Sequence, residues 1–100
     1  MEGKQIRRRM SELELEVSDL EYRMEVIKAR LTKEIWTDER YAKEKEKLKQ
    51  AELILRLDAD LEARDIRERM RMLVKELDEL SAEELALWHE MEGMETDTRL

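Results

Sequence analysis

Few side chains in this sequence can do chemistry. His89 is the one histidine, and there is no cysteine. A di-metal site in a helical bundle uses Glu-x-x-His, and a zinc protease uses a second His four residues from the first. Position 86 is Ala and position 93 is Gly, so His89 satisfies neither pattern. The pair Glu83–Glu84 could exchange protons only in a pocket that keeps water out, and no neighbouring sequence builds one. Two acids behind Ser81 fit the positive end of a helix better. No glycine-rich phosphate loop and no nucleophile elbow occurs. Arg7-Arg8-Arg9 is the cationic run that could contact an anion such as phosphate. It is a small patch in a chain of net charge −7, which weighs against nucleic acid as a partner. These residues predict no enzyme, no cofactor and no metal.

What remains is architecture. Charged residues make up 47% and hydrophobic residues 41%, with no Pro and with Gly only at positions 3 and 93. Strong helix formers dominate and nothing reads as a strand, so the chain is expected to be all-α. No stretch approaches the ~20 apolar residues of a membrane span. Without an apolar leader segment, a cytoplasmic location is expected. Charge is unevenly spread. Residues 1–10 set Lys4 and Arg7–Arg9 against Glu2, while residues 72–100 set nine acids against Lys75 and Arg99. An antiparallel hairpin would bring the basic and acidic ends together.

Spacing places the helices. Ile6, Met10, Leu13, Val17, Leu20, Met24, Ile27 and Leu31 alternate steps of four and three, the pattern of a coiled-coil seam. A helix is expected over residues 4–35. The Ser11/Glu14 and Ser18/Glu21 capping-box matches fall inside this run and are read as false starts. A tight turn at Trp36–Thr37, with Thr37 as cap, then leads to a second helix over 38–80, the competing reading being one continuous helix. Its seam runs Tyr41, Leu48, Ala51, Leu55, Ala59, Ala63, Ile66, Met70, Leu73, Leu77, Leu80, with a four–four stutter between Leu55 and Ala63. Reversal at Trp36–Thr37 makes facing residue numbers sum to 75 or 76, so that Met24 meets Ala51. Ser81 with Glu84 makes a capping box for a short third helix over 81–92, folded back so that Leu85, Trp88 and Met91 cover Leu73, Leu77 and Leu80. Gly93 ends it, and residues 93–100 are expected to form a flexible tail.

Both long helices carry a second apolar stripe on the side away from the seam: Leu15, Tyr22, Val26 and Ala29 on the first, and Leu53, Ile54, Leu57 and Leu61 on the second. A lone hairpin would leave both stripes in water, and two helices bury little area. The expected protein is therefore a single helical domain over residues 1–92. It is a coiled-coil-like antiparallel hairpin with a short third helix, assembling into a multi-helix bundle, most simply a homodimer. Leu15, Tyr22, Val26, Leu53, Ile54, Leu57 and Leu61 would form the interface with itself or another protein. Its role would be non-enzymatic protein–protein interaction as scaffold, adaptor, chaperone-like holder or inhibitor. The alternative is a nucleic-acid-related role, through Arg7–Arg9 directly or through acidic mimicry.

Overall fold

The computed structural model describes the backbone of residues 2–99 and the side chains of residues 2–91. The chain is an all-α antiparallel helical hairpin. Helix α1 spans Gly3–Trp36, a 3-10 turn Glu39–Tyr41, helix α2 Glu46–Ala59 and helix α3 Leu61–Arg99. It divides into two compact units, residues 18–70 and residues 1–17 with 71–100.

In the 18–70 unit, the seam of α1 supplies buried Leu20, Ile27, Leu31 and Ile35. Leu53 and Leu57 of α2 and Ala63 and Ile66 of α3 complete the core. Arg23 pairs with Glu62, Arg30 with Asp60 and Arg56 with Glu34, so α1 lies antiparallel to α2 and to the first turns of α3. In the other unit, Ile6 and Leu13 of α1 are buried with Leu73 and Leu80 of α3. Arg9 grips Glu76 at 3.0 Å and Arg7 reaches Glu84 at 3.4 Å, again antiparallel. Helix α1 starts at Gly3 and runs through Ser11 and Ser18, the two false starts.

The turn begins where expected, but it is not tight. Thr37 does not cap a following helix; its hydroxyl donates back to the Lys33 carbonyl at 2.6 Å and finishes α1. Asp38 is the cap instead, accepting from the Arg40 backbone N–H at 2.9 Å, and α2 starts only at Glu46. The added connection displaces the register. Facing numbers in this unit sum to 85 for Arg23 with Glu62 and 90 for Arg30 with Asp60, not 75 or 76.

Asp38 also accepts from the Arg40 guanidinium at 2.8 Å. The Arg40 side chain, followed by its backbone N–H, holds the Asp38 carboxyl below the usual carboxylate range. Because the folded-state pKa is depressed below the unfolded value of about 3.9, the contribution of this turn is complete above that pH. It is lost as pH falls through the lower folded value. A carboxyl-carbon NMR titration should place the Asp38 midpoint below that of the denatured chain, and Arg40→Ala should move it back up.

Two further expectations are corrected. The helix predicted over 38–80 is broken at Asp60, which adopts extended backbone (φ −72°, ψ 120°) between α2 and α3. The break falls in the four–four stutter between Leu55 and Ala63. The short third helix predicted over 81–92 does not fold back, because α3 passes through Ser81 without interruption. With no Gly or Pro at that point, the three–four spacing of Leu73, Leu77, Leu80, Glu84 and Leu87 carries the inward face onward, and none of these five is exposed. Gly93 does not end the helix either, since the α3 backbone continues through it to Arg99; the side chains of residues 92–100 lie outside those described.

Candidate interaction surfaces

The displaced register and the break at Asp60 decide which face of α2 is dry. Asp60 ends one helix and starts the next. Its backbone N–H donates to the Arg56 and Leu57 carbonyls, while its Oδ1 accepts from the Ala63 N–H at 2.9 Å. Oδ2 takes the Arg30 guanidinium at 3.2 Å, tying the joint to α1. A side-chain acceptor for an otherwise orphaned N–H at a helix start contributes about 1–2 kcal/mol, and it supports the start of α3 where neither Gly nor Pro interrupts the chain.

Because the helix restarts there, α2 is not phased as an extension of α3. Leu53 and Leu57, predicted to point outward, are 4% and 8% exposed and belong to the core. Leu48 and Leu55, predicted to lie in the seam, are 55% and 63% exposed. At 100° per residue, positions 48 and 55 fall on the side of α2 opposite 53 and 57, with Ala51 and Ala59 beside them. The two apolar faces of α2 have exchanged roles. Ile54 and Leu61 remain exposed, as do Tyr22 and Val26 in the same unit and Leu15 in the other, all where the second stripes placed them.

The end of α1 and the 3-10 turn meet α2 through cations. Lys49 sits 5.7 Å from the Trp36 ring centre and Arg56 5.7 Å from that of Tyr41. Arg56 Nε donates to the Glu52 carboxylate at 3.0 Å, and this bond, followed by one with Tyr41, raises the pKa of the guanidinium.

In the unit formed by residues 1–17 and 71–100, the arginine run is largely engaged. Arg7 bridges Glu84, and Arg9 forks onto Glu76 at 3.0 and 3.3 Å with Glu12 at 3.5 Å. The Glu76 carboxylate is the main cause of a raised Arg9 pKa. Arg8 is exposed. Gly3 and Arg7 face Leu87, Trp88 and Met91 across an open, mostly apolar cleft of about 370 Å³. Sequence reasoning missed this cleft because it put Leu85, Trp88 and Met91 into a helix folded back over the core. His89 lies exposed on α3. Among the described residues, no group of three His, Cys, Asp or Glu side chains is placed to hold a metal ion, and no helix is long and apolar enough to cross a membrane.

No protein-family model, curated protein or solved structure matches the chain.

Proposed function

We propose that this chain is a non-enzymatic helical interaction protein that pairs with a second copy of itself through the outward face of α2. One observation carries this reading: Leu48 and Leu55 stand more than half exposed on one side of α2, with Ile54 exposed on its flank about 100° round the helix. Charge supports a second copy as occupant. Residues 18–70 hold fourteen acids and thirteen Lys and Arg, so two such units meet with almost no net repulsion. Covering three such half-exposed side chains contributes about 1–2 kcal/mol each, or on the order of 10 kcal/mol over both copies. That gross gain lies inside the association cost of about 4–15 kcal/mol, so pairing belongs at micromolar or higher concentration.

Light scattering after size exclusion should show the mass rising with concentration from 12.2 kDa toward twice that value. Leu55→Glu should hold the protein at the monomer mass with unchanged far-ultraviolet dichroism. A wild-type mass that stays at 12.2 kDa throughout, or a Leu55→Glu variant that still pairs, would overturn the proposal. Nucleic-acid contact through Arg7–Arg9 has less support, since Glu84 and Glu76 engage two of the three guanidiniums.

A further inference from the structure

Leu85, Trp88 and Met91 are each more than half exposed near the basic end of α1, and they are not part of the α2 face. Gly3 lines the α1 side of the cleft beside Trp88, and nothing lies within 4 Å of where its Cβ would stand, so the cleft is open there. Trp and Met together make an adaptable apolar surface with no fixed polar pattern, suited to side chains arriving at helical spacing. Val74, Leu85 and Trp88 share one side of α3, eleven and fourteen residues apart. A third helix laid beside a two-helix seam meets just such a strip.

Charge selects the occupant. Between residues 71 and 91, Glu76, Asp78, Glu79, Glu83, Glu84 and Glu90 stand against Arg71 and Lys75, a net of −4. Residues 2–17 add four acids and four bases, so α1 leaves that excess in place. A second copy of this unit would bring the same excess and be repelled, and anionic lipid would be repelled too. A cationic segment is attracted.

We propose that the unit built from residues 1–17 and 71–91 docks a basic amphipathic helix of another protein, its apolar side against Leu87, Trp88 and Met91 and its cations beside the α3 acids. This does not rest on pairing through α2, and either idea can fail alone.

The test uses the full chain carrying Trp36→Phe, leaving Trp88 as the sole tryptophan, excited selectively over Tyr22 and Tyr41. The probe is a synthetic helical peptide of leucine and lysine, with leucines at i, i+3, i+4 and i+7. One control replaces lysine by glutamate, and a second keeps the lysines but replaces leucine by serine. The Leu/Lys peptide should shift Trp88 emission to the blue, with affinity falling steeply as salt is raised. In a background retaining Trp36, Trp88→Ala should weaken binding of a labelled peptide by at least about tenfold. Glu79→Lys with Glu90→Lys should weaken it further while leaving the dichroism intact. Equal binding of either control peptide, or full affinity in Trp88→Ala, would overturn the proposal. So would a blue shift that tracks protein concentration without peptide, because a second copy would then be the occupant.

Discussion

Replacing Leu57 with Ala should lower stability by about 2–5 kcal/mol, the cost of deleting buried methyl groups and leaving a cavity. The same truncation at Leu55, two positions away on α2, should change the stability of the isolated chain by less than about 0.5 kcal/mol. The two leucines differ in exposure, 8% against 63%, and in little else. Urea unfolding at low protein concentration separates them. The Leu57→Ala loss should be independent of concentration, whereas any Leu55→Ala loss should grow as the protein is concentrated and pairs. A large, concentration-independent loss at Leu55 and none at Leu57 would mean that α2 turns its other face inward, as the heptad count alone predicts. Chains of this size have total stabilities of about 5–15 kcal/mol, so the Leu57 change removes a large share.

The second expectation concerns the joint. Asp60→Ala deletes the acceptor for the Ala63 N–H and the partner of Arg30. Loss of the cap should cost about 1–2 kcal/mol, and loss of the half-exposed ion pair at most about 1 kcal/mol more. Asp60→Asn separates these two contributions. Its amide oxygen still caps Ala63, so it should recover most of the stability while giving up the charge on Arg30. If Asp60→Ala and Asp60→Asn melt together, the Arg30 pair outweighs the cap. If neither differs from the parent chain, Asp60 does not hold the break.

Much of the hairpin was legible because α1 obeys a single rule. Its apolar residues keep a strict three–four spacing, so Ile6, Leu13, Leu20, Ile27 and Leu31 could be assigned to the interior from spacing alone. The end of α1 was legible too, since Trp36 and Thr37 precede two acids. The second half obeys two rules at once. Apolar residues occupy both sides of α2, and periodicity cannot say which side is covered; that choice depends on how many residues the connection consumes. The connection is long because Asp38 and Arg40 close a local 3-10 turn on each other, a side-chain event invisible to hydrophobic spacing. The signal that could have located the break was the four–four stutter, with Asp60 inside it and a helix-forming run behind. Ser81 misled for the opposite reason. It carries a capping pattern but no change of phase, and a cap without a phase change does not end a helix.

The interior has a consequence for alignment. Among the described residues no polar or charged side chain is buried. Sliding α1 by one heptad along its partners would therefore strand no donor or acceptor in a dry place, the penalty that usually outlaws misthreaded arrangements. Discrimination between the native alignment and its neighbours falls to the length of the connection after Trp36 and to groups at the boundary with water: the Asp60 carboxylate reaching Arg30, and Arg9 on Glu76. These guide where the rods stop rather than whether they adhere.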